Sequence, residues 1–172
     1  ADCGGAACPD CADGKLCIAP TDCSSNVCVG SVCQSAQCLD GVKNGTETDI
    51  DCGGPACGDC ANNKVCGVGT DCQSGVCSAM GTCSPPTCND SVQNGNESAT
   101  DCGGGCAPCS NLQSCNINND CISKVCLNNI CQPPACMDFV KNGQESDIDC
   151  GGPSCNDCTD GKSCGVAGDC QS

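Results

Sequence analysis

Cysteine is the residue type in this sequence with the clearest capacity for chemistry. The chain has 29 cysteines among 172 residues, and it has no histidine, tryptophan or tyrosine. Thiols can form disulfides, bind soft metal ions or act in redox catalysis, and their spacing helps to decide among these. A cysteine content of about 17% is far above the level that marks a disulfide scaffold. The composition therefore predicts crosslinked modules in an oxidising, extracellular compartment.

Four Cys-x-x-Cys strings are the places where metal or redox chemistry would be sought. They run from Cys8 to Cys11, Cys57 to Cys60, Cys106 to Cys109 and Cys155 to Cys158. Zinc sites need paired knuckles, and a redox motif needs a thioredoxin-like context, which the sequence lacks. A thiol metal buffer is a weaker alternative, because thiolates would add charge to a chain with a net charge of −15. We therefore interpret the strings as structural cystines.

Acidic segments between the cysteine clusters suggest a second kind of chemistry, the binding of hard cations. Four oxygen-bearing positions recur in three copies, and calcium is coordinated by oxygen ligands of these types. They are Asp40, Asn44, Glu47 and Asp51, then Asp90, Asn94, Glu97 and Asp101, then Asp138, Asn142, Glu145 and Asp149. We expect a Ca²⁺ ion at each of these loops, where it would fix the angle between neighbouring repeats.

A second interpretation of the same loops needs no ion. Asp40 could cap a short helical turn through Val42 and Lys43, with Asn44 in a turn and Glu47 facing water. The spacing is not that of an EF-hand. In the second of these copies Ala99 replaces the aspartate found at Asp49 and Asp147, so we expect those two carboxylates to be optional or to lie outside the direct ligand set.

Three N-x-Ser/Thr sequons predict glycosylation at Asn44, Asn89 and Asn96. Attached glycans would suit an exposed extracellular array. Asn44 cannot easily be both a side-chain ligand of a cation and the anchor of a glycan, so these two expectations compete at that residue.

The elements that position these residues come from an internal repeat. Asp-Cys-Gly-Gly recurs at intervals of 48 to 50 residues, beginning at Asp2, Asp51, Asp101 and Asp149. Three units carry eight cysteines in the same order, and a fourth carries five. We call the first three of each unit the cluster, as in Cys52, Cys57 and Cys60, and the later ones the ladder, as in Cys66, Cys72, Cys77, Cys83 and Cys88. We predict repeats over 2–50, 51–100 and 101–148, with a truncated fourth repeat over 149–172. From the odd total we expect the missing partners to lie beyond the end of this sequence.

The fold class follows from the short steps between cysteines and from the scarcity of apolar residues. Leucine, isoleucine, valine and phenylalanine together number only 22, too few for an ordinary core. Steps filled with glycine, asparagine, serine and proline favour turns and two- or three-residue strands over helices. We predict a small disulfide-rich fold, a linear array of about 49-residue modules with little regular secondary structure.

Charge and composition argue against several functions. Asp and Glu number 21 against six lysines, which disfavours nucleic acid as a partner. No apolar run is long enough to cross a bilayer, so direct membrane insertion is not expected. Without histidine or arginine, the chain also lacks the usual general bases and anion clamps, and we expect no enzyme activity.

The segment Asp40-Gly-x-x-Asn-Gly-x-Glu-x-Asp-x-Asp-Cys-Gly-Gly54, followed by the cysteine ladder, resembles cysteine-rich tandem repeats of secreted surface and fibre proteins. The ladder alone is also similar to knottin-like and EGF-like domains. The resemblance implies a structural subunit of an extracellular filament, stalk or surface appendage, which self-associates or continues the same repeat array into a fibre. The alternative is an array of adhesive, ligand-binding or protease-inhibitor modules.

Overall fold

The computed structural model describes residues 3–171 and contains very little regular secondary structure within them. Two hairpins have two-residue strands: β1 (Cys28–Val29) pairs with β2 (Val32–Cys33), and β3 (Cys126–Leu127) pairs with β4 (Ile130–Cys131), both antiparallel. Four 3₁₀ helices of three residues each span Pro20–Asp22, Gly69–Asp71, Asn118–Asp120 and Ala167–Asp169. The predicted disulfide-rich fold of short strands and turns is confirmed.

Disulfides take the place of a hydrophobic core. Fourteen of them join 28 cysteines, and the most deeply buried side chains of the described region are cysteines such as Cys60, Cys121 and Cys131. Large apolar side chains lie outside instead, with Leu16, Ile18 and Phe139 mostly exposed. The fold is thus stabilised mainly by disulfides, which restrict the unfolded chain, and less by the burial of apolar side chains. So many disulfides indicate an oxidising, extracellular compartment.

The pairing follows one rule that repeats along the chain. The first cysteine of each cluster pairs with the third, in Cys3–Cys11, Cys52–Cys60, Cys102–Cys109 and Cys150–Cys158. Two interlocked ladder disulfides follow, in Cys17–Cys28 with Cys23–Cys33, Cys66–Cys77 with Cys72–Cys83, and Cys115–Cys126 with Cys121–Cys131. The last cysteine pairs forward with the next cluster, in Cys38–Cys57, Cys88–Cys106 and Cys136–Cys155.

The forward disulfides shift the covalent modules relative to the repeat of the sequence. Cys38 lies in the first predicted repeat and Cys57 in the second, so the unit that the disulfides define begins at Cys38. Disulfides close 38–60 and 66–83, and backbone hydrogen bonds such as that from the Cys60 N–H to the Asp71 carbonyl join these two parts into one unit. We call 38–83 module 2, and the equivalent units 3–33, 88–131 and 136–170 modules 1, 3 and 4. Among the described residues, no disulfide spans the segments between modules, 34–37, 84–87 and 132–135, which we call the tethers, or the segments 12–16, 61–65, 110–114 and 159–163 inside the modules.

A few backbone contacts recur in the modules and give them a common frame. The third cysteine of each cluster forms a parallel bridge with a ladder cysteine, as in Cys60 with Cys72. Its N–H donates to the carbonyl of the preceding ladder residue, from Cys60 to Asp71 over 2.6 Å. Among the described residues no disulfide joins the cluster of a module to the interlocked disulfides of its ladder, so these backbone hydrogen bonds hold the two together.

Cysteine pairing departs from this rule in two places. Cys8 is exposed and unpaired, whereas its counterparts Cys57, Cys106 and Cys155 all bind a preceding cysteine. In module 4, Cys164 pairs with Cys170, whereas the equivalent cysteines of modules 1 to 3 pair with later ladder cysteines.

The chain divides into two compact units, one ending at Pro86 and one starting at Thr87. The first contains modules 1 and 2, and the second contains modules 3 and 4. Among residues 3–171, no helix is long and apolar enough to cross a membrane.

Candidate functional site

The recurring acidic segments 40–51, 90–101 and 138–149, called the acidic loops below, are the candidate site named by the sequence. In the first loop, Asp40 forms hydrogen bonds at both of its carboxylate oxygens. Its Oδ1 accepts from the Val42 N–H over 3.0 Å, and its Oδ2 accepts from the Gln37 N–H and from Asn44 Nδ2, each over 2.9 Å. The hydrogen bonds from Asn44 and the Gln37 N–H lower the pKa of Asp40. Asp40 thus ties the end of the tether to the loop.

Glu47 and Asp51 close the loop on itself. Glu47 Oε2 accepts from the Asn44 N–H over 3.1 Å and from the Asp51 N–H over 3.3 Å. Asp51 Oδ1 accepts from the Gly41 N–H over 2.8 Å, which joins the two ends of the loop. Glu47 is only 8% exposed and lies beside Cys57 of the forward disulfide. The expectation that Glu47 faces water is therefore wrong, while the predicted turn at Asn44 is present.

The other two acidic loops repeat this arrangement. In module 4, Glu145 accepts from the Asn142 N–H over 3.1 Å, and Asp149 accepts from the Asp138 and Phe139 N–H groups. In module 3, Glu97 accepts from the N–H groups of Asn94 and Asp101, and Asp101 accepts from those of Asp90 and Ser91. The structure therefore brings together all twelve predicted site residues, as three hydrogen-bonded loops.

Asn44 and Asn142 also reach back to the module before their own. Asn44 Nδ2 donates to the Ser25 carbonyl over 2.9 Å as well as to Asp40. Asn142 Nδ2 donates in the same way to the Ser123 carbonyl and to Asp138, each over 2.9 Å. Each amide bridges a ladder turn of one module and the acidic loop of the next. We call this contact, made by the Asp-Asn pair and the preceding serine carbonyl, the clasp.

These contacts bear on the predicted calcium sites. Asp40, Glu47 and Asp51 bind backbone N–H groups, and Asn44 turns its Nδ2 toward Asp40, so the observed hydrogen bonds hold the loop without an ion. One feature suits a further ligand, because Oδ1 of Asn44 and Oδ1 of Asn142 are buried and accept no hydrogen bond among the described residues. A buried amide oxygen of this kind can bind water or a cation. Calcium binding stays a prediction.

The three sequon asparagines differ in their surroundings. Asn89 and Asn96 are exposed, whereas Asn44 is half-buried and uses its Nδ2 group in the clasp. A glycan on Asn44 would replace one hydrogen of that group and break one of its two hydrogen bonds. The geometry therefore favours Asn89 and Asn96 as glycosylation sites over Asn44.

A fourth recurring carboxylate was not identified from the sequence. Asp71 precedes a ladder cysteine, is buried, and accepts hydrogen bonds from the N–H groups of Gly67, Val68 and Gly54 over 2.7, 3.0 and 3.0 Å. The hydrogen bonds from these N–H groups lower the pKa of Asp71, that from Gly67 most, followed by those from Val68 and Gly54. Equivalent positions hold Asp22, Asp120 and Asp169. We call these four the ladder aspartates, and each caps a 3₁₀ helix while binding the Gly-Gly turn of its cluster.

The signal that could have identified the ladder aspartates is their recurrence before the fifth cysteine of each unit. Asp22, Asp71, Asp120 and Asp169 all occupy this position. Aspartate also precedes the first cysteine of each cluster, so the local sequence Asp-Cys does not distinguish a loop carboxylate from a ladder carboxylate. Only the long-range contact with the Gly-Gly turn separates the two roles.

Asp49 joins the first acidic loop to the ladder of module 2. Its carboxylate accepts from the Val65 N–H over 2.7 Å and forms an ion pair with Lys64 over 3.5 Å. In module 3 these positions hold Ala99 and Gln113, and Gln113 Oε1 instead accepts from the Ser110 N–H. Carboxylate and lysine are thus lost together, which agrees with the expectation that Asp49 is optional.

The Cys-x-x-Cys strings hold no pair of free thiols. Cys57 and Cys60 belong to different disulfides, and so do Cys106 and Cys109. Ladder cysteines lie close enough together to suggest a metal cluster, as Cys66, Cys72 and Cys77 do, but each is oxidised. A disulfide sulfur is not a thiolate ligand. The prediction of structural cystines is confirmed for all of these cysteines except Cys8.

Comparison of this chain with protein-family models, with curated protein sequences and with solved structures finds no match.

Proposed function

We propose that this chain is a structural part of an extracellular stalk or filament and not an enzyme. The observation that best supports the proposal is the clasp, because it uses side chains to join one module to the next within a compact unit. A tether of four residues leaves little slack between modules, and the clasp joins residues on either side of that tether. Such an array resists bending and unfolding by covalent and hydrogen-bonded contacts rather than by a core.

Stiffness at the clasp can be tested by NMR relaxation of the whole chain. If the clasp holds, amides of modules 1 and 2 report one common rotational correlation time. Asn44→Ala removes both hydrogen bonds of the amide, and module 1 should then tumble faster than module 2. Asn62→Ala, at an exposed asparagine of module 2, serves as the matched control. Independent tumbling of modules 1 and 2 in the unaltered chain would contradict the stiff-stalk proposal.

Calcium at the acidic loops is a finer part of the same proposal. An ion would bind Oδ1 of Asn44 and Oδ1 of Asn142, the buried oxygens that accept no hydrogen bond, together with neighbouring backbone or water oxygens. Calorimetric melting in excess Ca²⁺ and in EDTA would decide. A higher melting temperature with calcium, lost in an Asn44→Ala and Asn142→Ala double variant, supports an ion. Identical melting curves in Ca²⁺ and in EDTA would show that the clasp forms without a metal ion.

An adhesive array is the second candidate, favoured by exposed apolar side chains beside the acidic loops. Leu39, Met137 and Phe139 are 88%, 87% and 84% exposed. Exposed large apolar groups are common singly, but Met137 and Phe139 are two residues apart in one loop. If this surface is adhesive, a Met137→Ser and Phe139→Ser double variant should lose binding of the chain to cells or matrix, while its melting temperature stays unchanged.

A further inference from the structure

The face of module 1 formed by its Gly-Gly turn and the start of its ladder carries a groove of about 570 Å³, lined by residues that include Gly4, Gly5, Leu16, Ile18 and Asp22. The equivalent face of module 4 has a groove of the same volume, but residues of the acidic loop, such as Gln144 and Glu145, line it there. Module 1 lacks that loop among the residues that line its groove. Leu16 is 76% exposed, whereas Val65 at the equivalent position of module 2 is 47% exposed.

In the other modules an acidic loop covers this surface and approaches the Gly-Gly turn very closely. A Cβ atom built on Gly54 would lie 1.9 Å from the Thr46 carbonyl oxygen, and one on Gly104 would lie 1.8 Å from that of Asn96. The corresponding distance from Gly152 to the Gln144 carbonyl oxygen is 2.0 Å. Among residues 3–171, no atom lies within 4 Å of a Cβ built on Gly5. The equivalent surface of module 1 is thus open at the point where a loop docks in its three counterparts.

An exposed thiol lies in the same cluster. Cys8 is unpaired, and its counterparts Cys57, Cys106 and Cys155 bind the cysteine that precedes the docked acidic loop. The groove and the thiol are independent observations, one steric and one covalent. In modules 2 to 4 an acidic loop lies against the Gly-Gly turn, and the cysteine before that loop pairs with the counterpart of Cys8.

The cluster of module 1 already has the conformation that accepts a loop. The Gly4 N–H donates to the Pro9 carbonyl over 2.8 Å, as the Gly53 N–H does to that of Gly58. The Gly5 N–H donates to Asp22 over 3.0 Å, as the Gly54 N–H does to Asp71 over the same distance. Docking would therefore need little rearrangement of this cluster.

We propose that module 1 is an acceptor site for an acidic loop of this repeat type that carries its own unpaired cysteine. The loop would lie across the Gly4-Gly5 turn, place its aspartate equivalent to Asp49 beside Lys15 and the Leu16 N–H, and form a disulfide with Cys8. The partner is thus a further repeat of the same chemistry. This inference extends the proposed structural role to the addition of repeats, whereas the stiffness test concerns only the joint at Asn44.

The covalent step is a thiol–disulfide exchange and needs no separate oxidant. The Cys8 thiolate attacks the sulfur of the loop cysteine while that cysteine is held in a disulfide with a small thiol. One S–S bond forms, one breaks, and the small thiol leaves with the electron pair and takes up a proton. The three forward disulfides of the structure are the products that such a step would give.

The probe is a synthetic peptide of residues 36–49 whose Cys38 is activated as a pyridyl disulfide. Added to the oxidised chain, it should form a one-to-one conjugate at Cys8 at least about tenfold faster than a scrambled peptide with its cysteine at the same position, since docking raises the effective concentration of the two sulfurs. Equal rates for the two peptides would overturn the proposal, and so would a Cys8–Cys8 dimer as the main product.

Hydrogen exchange of the conjugate tests the docked geometry independently of rate. The Val65 N–H donates to Asp49 in module 2, so the Leu16 N–H should become protected in the conjugate. That protection should be absent when the peptide carries Asp49→Ala. A conjugate in which the Leu16 amide exchanges as fast as in the free chain would show a disulfide without docking, and would refute the site.

Two variants of the chain complete the test. Gly5→Ala places a methyl group where the loop carbonyl must lie, and conjugation should fall to the rate of the scrambled peptide. Because Gly5 has φ +78 and substitution there is strained, Lys15→Glu provides a second variant at an exposed side chain. It should slow conjugation of the native peptide, and a peptide with Asp49→Lys should restore the rate. Unchanged rates in both variants would contradict the proposal.

Discussion

At Asp71 three backbone N–H groups converge on one carboxylate and join two parts of module 2, the ladder and the cluster. Two donors, Gly67 and Val68, belong to the start of a 3₁₀ helix, and the third, Gly54, belongs to the cluster. Without a hydrophobic core, such a contact decides how cluster and ladder fit together. Charge-assisted hydrogen bonds of this kind are stronger than neutral ones.

Asp71→Asn tests this role at constant shape. The amide keeps one oxygen acceptor but replaces the other with an NH₂ donor that faces an N–H group, so at least one backbone group loses its partner. We expect faster hydrogen exchange at Gly54, Gly67 or Val68 and a lower melting temperature. Asp59→Asn, at an exposed position, should change neither. If exchange at all three amides is unaltered in Asp71→Asn, the carboxylate does not hold the cluster.

Backbone strain marks a second informative residue. Phe139 has φ +64, in the left-handed region, and the equivalent position of the first acidic loop is Gly41 with φ +77. A bulky residue in this conformation is uncommon, and the strain is of order 1 kcal/mol or more.

Phe139→Gly should therefore stabilise module 4 slightly, by up to about 1 kcal/mol after the added entropy of glycine in the unfolded chain is subtracted. The reverse change, Gly41→Phe, should destabilise module 2. Denaturant titration of both variants, with disulfides intact, measures whether each substitution raises or lowers the free energy of unfolding. A destabilising Phe139→Gly would show that the aromatic ring makes a contact that outweighs its backbone strain.

At the scale of elements, modules 2 and 3 each combine a buried ladder disulfide with a more accessible forward disulfide. Cys121 and Cys131 are 0% exposed, whereas Cys88 is exposed and its partner Cys106 is half-buried. Access of the reductant to sulfur is one determinant of reduction rate. The forward disulfide joins the end of a tether to the next cluster, so its loss would leave the acidic loop held by hydrogen bonds alone.

Limited reduction should therefore open Cys88–Cys106 before Cys121–Cys131. A low concentration of a phosphine reductant, followed by alkylation and peptide mass mapping, gives the order. The ladder pair acts as the internal control within the same molecule. Simultaneous labelling of both pairs would mean that accessibility does not govern reduction, and that the module opens as a whole before any disulfide breaks.

Some of these elements could be predicted from the sequence, and others could not. Short steps between cysteines exclude long helices because each step ends in a crosslink after a few turn-forming residues. The pairing of cysteines could not be predicted, since eight cysteines allow 105 arrangements. The role of Asp71 could not be predicted for a related reason, because its partner Gly54 lies 17 residues away in the sequence. Asp40 and Asn44, which recur in the sequence, lie where modules 1 and 2 meet, and the contact observed there is a hydrogen bond from Asn44 to the Ser25 carbonyl.

Across the whole molecule, the ladder aspartates make stability depend on pH in one direction. Backbone and side-chain hydrogen bonds lower the pKa of Asp22, Asp71, Asp120 and Asp169 in the folded chain. A group with a depressed folded pKa contributes stability above its unfolded pKa of about 3.9, and loses it as the pH falls through the folded value.

We therefore expect the melting temperature to fall below about pH 4, because these carboxylates become protonated there. Calorimetry at several values between pH 7 and pH 2, with the disulfides intact, measures the effect. The loss at low pH should be smaller in Asp71→Asn, which has one such carboxylate fewer. A melting temperature that is constant down to pH 2 would show that the aspartate contacts contribute no net stability.

The tethers should determine how the whole chain fragments. A peptide bond cut inside a disulfide loop leaves its two ends joined, whereas a cut in 34–37, 84–87 or 132–135 separates the products without reduction. The segments 12–16, 61–65, 110–114 and 159–163 also lie outside disulfide loops, but backbone hydrogen bonds hold them, as from the Asn63 N–H to the Cys83 carbonyl. Two tethers contain Pro85-Pro86 or Pro133-Pro134, whose rings and missing N–H groups resist most proteases. The tether 34–37 has no proline and is exposed.

A broad-specificity protease should therefore release module 1 first, seen as two products by non-reducing mass spectrometry. Replacing Ser35 and Ala36 with prolines should suppress this cleavage, and the matched reverse change, Pro85→Ser with Pro86→Ala, should create a second release site. If cleavage instead falls in 12–16 or 61–65, or produces nicked chains that separate only after reduction, the weakest backbone lies inside the modules. In that case the tethers are protected by contacts such as the clasp, and Asn44→Ala should expose 34–37 to the protease.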